Sequence, residues 1–448
     1  MAQSKGIFKP REWYRLDNAA KIFPGQNTQK WSNIFRLSVV LREKVDPAVL
    51  EQAVIMTLPR FPCFNVRMRR GFFWHYLEKN DRLAPPIQPD IQNPCHRVNW
   101  RENNRFSQIY TFASNNRFLF RVYYHEKRIS IDFYHALSDA YGASRLLSTI
   151  AAQYLRLMGH EIPPGEGVLD LNERPTQDEV SDPFQRFASS KAAPRHKVNK
   201  FAYHAKGTRM PAHMVNITTG YMPVDALKNK AKEYGVTITE FIAALLLDVH
   251  YRKQLEEHRG RGKLKDVSVQ IPVNLRNSFP TKTLRNFSLC YSVRIDPNMG
   301  EYTFAEIVRQ VSLYLRYINN SKELNAMMSS NLKLESNPFM RFLPLPIKDF
   351  FIGLSFLITG EKATSVLISN LGIVRVPKEM EAYIDRFVLM TGPGRRSGSR
   401  CAAVSFQNTF ALTFANIYQE SDIEREFFTR LVKMGIHVKI ESNREQME

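Results

Sequence analysis

The sequence contains few cysteines, and their spacing excludes two common frameworks. Its 448 residues include four cysteines, Cys63, Cys95, Cys290 and Cys401, and none forms a Cys-x-x-Cys pair. Disulfide-rich domains and structural zinc sites need several cysteines at short spacing. We therefore expect neither a disulfide scaffold nor a metal site, and the scarcity of cysteine favours a reducing compartment, the cytoplasm.

The chain also lacks a long apolar run. Residues 1–6 contain no apolar core of a signal peptide. The most apolar stretch, Phe342 to Thr359, is interrupted by two prolines, a lysine and an aspartate. Because a membrane-spanning helix needs about 20 predominantly apolar residues, we expect this stretch not to cross a bilayer. Peripheral contact with a membrane surface stays open.

Negative charge is scarce relative to positive charge. Lys and Arg number 63 against 43 Asp and Glu, which gives a net charge of +20. The basic residues are dispersed, without zinc-finger spacing, a basic-region heptad or an arginine-rich tail. We therefore expect no nucleic acid partner. The charge suits a phosphate-bearing cosubstrate or an anionic membrane surface equally well.

Hydrophobic periodicity predicts an α/β protein with two domains. Residues 1–165 contain alternating strand patterns, such as a half-buried strand at 33–42, and form the first predicted domain. Residues 166–211 are rich in proline and charge without periodicity, which predicts a linker or crossover. Residues 212–448 return to strand and helix patterns and form the second predicted domain.

The segment Ile129 to Gly142 carries the chemistry of greatest interest. Its alternating apolar residues predict a strand that ends at His135, and Asp139 follows at the start of a predicted helix. A neutral imidazole can accept a proton from a hydroxyl near neutral pH. A structural histidine and a helix-capping aspartate are the alternative interpretation of the same residues.

Three separated motifs together narrow this choice. They are His135-Ala-Leu-Ser-Asp139, Pro272-Val-Asn-Leu-Arg276 and Ser369-Asn-Leu-Gly372. Their order and spacing resemble the chloramphenicol-acetyltransferase-like acyltransferase superfamily, which includes nonribosomal peptide condensation domains, plant BAHD acyltransferases and bacterial alcohol O-acetyltransferases. The resemblance covers nearly the whole chain and is closest to the alcohol O-acetyltransferases.

The resemblance implies two similar domains, each a mixed sheet with helices, and an active-site tunnel between them. It implies that His135 is the general base and that Asp139 supports the site through a salt bridge with Arg276. It implies acyl-CoA as co-substrate, a small or lipid-like alcohol as acceptor, and no permanent cofactor or metal. Residues expected near the acyl donor are Asn274, Asn286, Ser369, Asn370 and Gly372.

Two departures from the family pattern leave alternatives open. Tyr134 precedes His135 where the family usually has histidine, and Ala140 follows Asp139 where the family has glycine. One alternative is a condensation-type enzyme that takes its acyl group from an acyl carrier protein and acts on an amine. Another is a catalytically silent binding module with the same fold.

Overall fold

The computed structural model of the protein describes residues 12–27, 33–90, 115–188, 200–211, 214–258 and 262–444. Cys95 lies outside these ranges. The strands are β1 (Trp13–Arg15), β2 (Ile34–Leu41), β3 (Val66–Arg70), β4 (His75–Lys79), β5 (Ile87–Pro89), β6 (Phe120–His125), β7 (Arg128–Tyr134), β8 (Asn216–Pro223), β9 (Val267–Asn274), β10 (Ser288–Ile295), β11 (Val366–Ile373), β12 (Ile384–Thr391), β13 (Ser399–Phe406), β14 (Thr409–Asn416) and β15 (Lys439–Ser442). The helices are α1 (Phe23–Gln26), α2 (Pro47–Thr57), α3 (Ala140–Leu157), α4 (Gln177–Val180), α5 (Pro183–Phe187), α6 (Val224–Glu233), α7 (Ile238–Glu257), α8 (Phe304–Ile318), α9 (Ser321–Ser336), α10 (Pro338–Phe342), α11 (Leu345–Ser355), α12 (Lys378–Glu381) and α13 (Asp422–Lys433).

The strands form three sheets, which confirms the predicted α/β class. The orders are β12-β2-β7-β6-β5, β10-β9-β11-β13-β14-β8-β15 and β1-β4-β3. Strand β12 belongs to the second half of the chain but pairs antiparallel with β2 of the first half. The second half therefore contributes one strand to the sheet that leads to His135. The domain boundaries at 165 and 212 stay a prediction.

The central strands of the first sheet are buried on both faces. Alternation had predicted a half-buried strand at 33–42, but Arg36 and Ser38 of β2 are buried as well as the apolar residues between them. Arg36 forms a paired contact with Asp132 of β7, and Ser38 Oγ donates to Ser130 Oγ at 2.8 Å. The polar residues pair with one another across the strands, so this face can be covered without leaving them unsatisfied.

Helix starts follow the capping residues in the sequence. Asp46 precedes Pro47 and accepts hydrogen bonds from the first backbone amides of α2. Thr237 and Glu240 form a capping box at the start of α7. The same rule fixes the start of α3, where the Asp139 side chain accepts from the backbone amide of Gly142 at 3.2 Å.

The predicted linker contains two short helices, α4 and α5, that connect the halves. Glu179 of α4 forms a buried two-point ion pair with Arg60, with distances of 2.8 and 2.9 Å. The carbonyl of Glu179 accepts from the backbone amide of Leu284 at 2.8 Å. This segment therefore contacts both the turn that follows α2 and the loop that follows β9.

The apolar stretch near residue 350 forms helices at the surface. Helices α10 and α11 are followed by a π-helical turn over residues 356–361. Across the described ranges, no helix has the length and apolar character needed to span a bilayer.

Candidate active site

His135 lies directly after β7 in an apolar setting. Its backbone amide donates to the carbonyl of Asn33 at 2.9 Å. The imidazole stacks on Phe23 of α1 with ring centroids 4.5 Å apart, and Phe35 packs edge-on at 5.1 Å. Burial lowers the pKa of His135 below its ordinary value, because charge is costly in this setting. The imidazole is therefore neutral at neutral pH.

A hydrogen-bond chain fixes which nitrogen of His135 carries the proton. His135 Nδ1 lies 3.1 Å from Asn286 Oδ1, and Asn286 Nδ2 donates to Asp17 Oδ2 at 3.2 Å. Because the amide nitrogen of Asn286 faces the carboxylate, its oxygen must face the imidazole. Nδ1 then carries the proton, and Nε2 keeps its lone pair.

Asp17 ends this chain as a fully buried carboxyl group. Its Oδ1 accepts from the backbone amide of Ala20 at 2.7 Å, and its Oδ2 lies 3.6 Å from Arg285. Burial raises the pKa of Asp17, and the nearby guanidinium opposes that rise. The Arg285 charge, the Ala20 amide and the Asn286 donor therefore all favour an ionised Asp17 at this depth.

Asp139 and Arg276 form a buried ion pair next to His135. Arg276 Nη1 lies 2.8 Å from Asp139 Oδ2, and Nη2 lies 3.3 Å from Oδ1. Asp139 Oδ2 also accepts from the backbone amide of Phe287 at 2.9 Å. The carboxylate of the first half thus holds both ends of the loop between β9 and β10.

Arg276 organises that loop from within. Its side chain donates to the carbonyls of Thr283 at 3.1 Å and Arg285 at 2.5 Å, and the guanidinium lies 4.3 Å from the Tyr141 ring centroid. Asn274 Oδ1 accepts from the backbone amide of Arg276 at 3.1 Å. Asn274 therefore contributes to the turn that aims Arg276 at Asp139.

Gly142 allows the two halves to approach closely. A Cβ at this position would lie 2.0 Å from the carbonyl oxygen of Leu284. The same carbonyl accepts from Ser138 Oγ at 2.6 Å. Ala140, the departure from the family pattern, is the first residue of α3 and is not among the residues with positive φ. The methyl group of Ala140 therefore introduces no left-handed backbone strain.

The third motif lies on β11, the strand next to β9. Because β9 and β11 run parallel, Ser369, Asn370 and Gly372 lie at the same end of the sheet as Asn274, where both strands finish. Asn370 Nδ2 donates to Thr239 Oγ1 at 2.9 Å, and its Oδ1 accepts from the Gly372 amide at 2.9 Å. Strand β11 continues through the motif to Ile373, and its pairing with β13 shifts register after Asn370.

These motif residues differ in how closely they approach His135. Asn286 contacts the imidazole directly, and Asp139 and Arg276 hold the adjacent loop. No described hydrogen bond joins Ser369, Asn370 or Gly372 to His135.

One cavity of ≈ 1170 Å³ lies near the site, between the three-stranded sheet and α9. Its lining includes Trp13, Arg15, Leu16 and Trp74, whereas His135 is not among the lining residues. The cavity approaches the hydrogen-bond chain where Leu16 precedes Asp17. It is therefore adjacent to the support of His135 and not centred on the imidazole.

Sequence reasoning did not find Asp17 or Phe23. Asp17 contacts Asn286 and Phe23 contacts His135, and each lies more than a hundred residues before its partner. Neither stands in a recognisable motif. Asn286 was selected, but for a place near the acyl donor and not for contact with His135. For Asn286 the sequence signal is its position downstream of the second motif, whereas Asp17 and Phe23 have none.

Comparison with solved structures identifies the fold of this chain. No protein-family model matches the chain, and no curated protein matches it. TRI101 of F. sporotrichioides, solved with coenzyme A and T-2, aligns at a TM-score of 0.62 and 11% identity over 96% of this chain and 99% of that chain. TRI3 trichothecene 15-O-acetyltransferase from Fusarium sporotrichioides aligns at 0.57 and 11% identity over 94% of each. The first condensation domain of the CDA synthetase aligns at 0.55 and 12% identity over 94% of this chain and 95% of that chain. The chain therefore has the chloramphenicol-acetyltransferase-like fold over almost its whole length.

Proposed function

We propose that this protein is a CoA-dependent acyltransferase that moves an acyl group, acetyl in the simplest case, from a thioester to a hydroxyl acceptor. The observation that carries this proposal is the hydrogen bonding and the protonation of His135. Its Nδ1 is engaged by Asn286, and burial keeps the ring neutral. A neutral imidazole whose Nδ1 is protonated and hydrogen bonded can accept a proton at Nε2.

The proposed reaction is a direct transfer. His135 Nε2 removes the proton of the acceptor hydroxyl as its oxygen attacks the thioester carbonyl carbon. When the tetrahedral intermediate collapses, the carbon–sulfur bond breaks, and the imidazolium returns the proton to the departing thiolate. The products are an ester and free CoA thiol. No covalent enzyme intermediate is needed.

Asp139 and Arg276 act in this proposal as positioning residues. Their ion pair is buried, with both side chains less than 10% exposed, and it holds the loop that carries Asn286. A buried pair of this kind is a poor source of stability but defines a geometry well. Its proposed task is to keep the Asn286 amide against the imidazole.

The acyl donor is proposed to lie at the carboxyl ends of the parallel strands β9 and β11. Asn274, Ser369, Asn370 and Gly372 lie there, and Ser369 with nearby backbone amides is the proposed source of donors to the oxyanion. The similarity to TRI101, solved with coenzyme A, and to TRI3, an O-acetyltransferase, supports CoA as the donor and a hydroxyl as the acceptor. The net charge of +20 would favour approach of the CoA phosphates. The acceptor is proposed to be a small or lipid-like alcohol.

A second candidate is a condensation-type enzyme. The similarity to the condensation domain of CDA synthetase favours it. Such an enzyme would take its acyl group from an acyl carrier protein and transfer it to an amine. The same imidazole would then deprotonate a nitrogen nucleophile.

The test is thiol release from acetyl-CoA and longer acyl-CoAs with a panel of alcohols and amines. Acceptor-dependent release that His135→Ala abolishes is the expected result. His250→Ala is the control, because His250 is a buried histidine whose hydrogen bond lies within α7. Release that survives His135→Ala would refute the assigned base. Release only from an acyl carrier protein would favour the second candidate, and no release from any donor would favour a silent module.

A further inference from the structure

Helix α11 carries its charged residues on the inside. Lys348 is 1% exposed, and its Nζ donates to the carbonyl of Phe73 at 2.8 Å and lies 3.4 Å from the Trp74 ring centroid. Asp349 Oδ2 lies 3.0 Å from His75 Nε2. These contacts fix the rotation of α11 about its own axis, so the exposure of its opposite side is built into the fold.

The outer side of α11 is apolar. Together with two neighbouring side chains it forms a surface, called here the apolar face, that consists of Phe72, Phe342, Ile347, Phe350, Phe351 and Leu354. Their exposed fractions run from 42% to 73%. The four α11 members follow the spacing i, i+3, i+4, i+7 of one helical stripe. Scattered exposed apolar residues are ordinary in proteins, but a contiguous group of this kind marks an interaction site.

Basic residues lie beside the apolar face. Exposed Arg70 is two residues before Phe72, and exposed Arg341 directly precedes Phe342. The whole chain carries a net charge of +20. Apolar side chains next to arginines fit the boundary between acyl chains and anionic headgroups, since the first can enter the lipid and the second can remain at the phosphates. We propose that the apolar face docks this protein on an anionic lipid bilayer.

The docked side of the protein is connected to the candidate site through α1. A Cβ on Gly25 would lie 3.1 Å from Ile352 of α11, and a Cβ on Gly353 would lie 2.6 Å from the Gly25 carbonyl oxygen. Helices α1 and α11 are therefore in backbone contact, and Phe23 of α1 stacks on His135. This step rests on the proposed function: a lipid-dissolved alcohol would then be the acceptor class that the docked enzyme meets.

Docking is tested by cosedimentation of the full chain with vesicles. The vesicles contain phosphatidylcholine with or without one quarter phosphatidylglycerol, at low and high salt. We expect binding to the anionic vesicles that weakens at high salt, and a loss of affinity of at least about tenfold in the Phe350→Ser, Phe351→Ser double variant, because two apolar side chains no longer leave water. The matched control is Met299→Ser with Leu313→Ser, which removes two side chains that are 81% and 57% exposed elsewhere. Its binding should equal that of the unaltered chain.

Further measurements separate docking from folding and from catalysis. Circular dichroism and thiol release with a soluble alcohol should be unchanged in the double variant, since neither phenylalanine belongs to the site. Phe351→Trp retains an apolar face and should show a blue-shifted emission with anionic vesicles. Vesicle binding requires no turnover, so failure of the acyl-transfer proposal would leave this result intact.

Several results would overturn the docking proposal. These are no binding by the unaltered chain, equal binding by the double variant, and no emission shift in Phe351→Trp. A dimer in sedimentation velocity that the double variant dissociates would also overturn it, because the occupant of the apolar face would then be a second copy of this chain.

Discussion

Replacing Asn286 with leucine isolates the support of the proposed base. Leucine has a similar size but offers no acceptor to His135 Nδ1 and no donor to Asp17. The starting contacts are 3.1 and 3.2 Å long; the first is partly buried and the second is buried. The substitution therefore leaves the imidazole in place while it removes the partner that selects its tautomer.

The size of the effect follows from the change in charge during the reaction. A hydrogen bond between neutral groups contributes about 0.5–1.5 kcal/mol net, and one to a charged group contributes about 1.5–3 kcal/mol. The contact with Asn286 is therefore stronger by about 1–1.5 kcal/mol once His135 becomes an imidazolium. That difference corresponds to a fall in kcat of about tenfold. Without Asn286 the ring can also place its proton on Nε2, which lowers kcat further.

The assay is steady-state thiol release together with thermal unfolding. We expect kcat to fall by about tenfold to a hundredfold, with KM for the acyl donor nearly unchanged, because Asn286 acts on the base and not on the donor. Asn443→Leu is the control, since Asn443 is buried at the far edge of the large sheet and bonds the backbone of Ile217 and Val215. It should lower the melting temperature without lowering kcat. A full kcat in Asn286→Leu, with only the melting temperature reduced, would refute the assigned tautomer.

Further predictions concern the pH response and the contact between the halves. Because burial lowers the pKa of His135 below 6.5, kcat/KM should fall as pH decreases, with a midpoint below pH 6.5. The unfolded chain binds this proton more readily than the folded chain, so the stability contributed by His135 should be lost as pH falls below its unfolded pKa, as thermal melts across pH can show. Asp139→Asn breaks a buried ion pair and should cost about 3–5 kcal/mol of unfolding free energy in denaturant titrations, with reduced kcat. Gly142→Ala places a methyl group 2.0 Å from the Leu284 carbonyl and should destabilise the fold by about 1–3 kcal/mol in the same titrations.

Local chemistry made much of the fold predictable from the sequence. The alternation from Ile129 to Phe133 and the capping aspartate at 139 lie within a few residues of one another, so their outcome depends on short-range rules. The start of α7 at its capping box is a second case. Burial of both faces of β2 was not predictable in this way, because the partners of Arg36 are Asp132 of β7 and Asp90, which follows β5.

The candidate site was only partly predictable for the same reason. Asp139 and Arg276 could be selected by resemblance, and they lie in contact. The two hydrogen bonds that link His135 to Asn286 and Asn286 to Asp17 join residues that are 151 and 269 positions apart in the sequence. A buried aspartate at position 17 has no local signature, because its role depends on which side chains the tertiary fold brings to it.

The hydrogen bonds that link His135, Asn286 and Asp17 come from both halves of the protein. The proposed base therefore depends on the contact between the halves and not on either half alone. His135 ends a strand of the first half, whereas Asn286 belongs to a loop of the second half that Asp139 and Glu179 hold in place. If this loop withdrew, Nδ1 would lose its acceptor, and the ring would be free to protonate either nitrogen. Asp17 would at the same moment lose a donor while still buried, which is unfavourable. The tautomer needed for acyl transfer and the favourable burial of Asp17 therefore depend on the same contact, so loosening the interface should reduce kcat before the fold is lost.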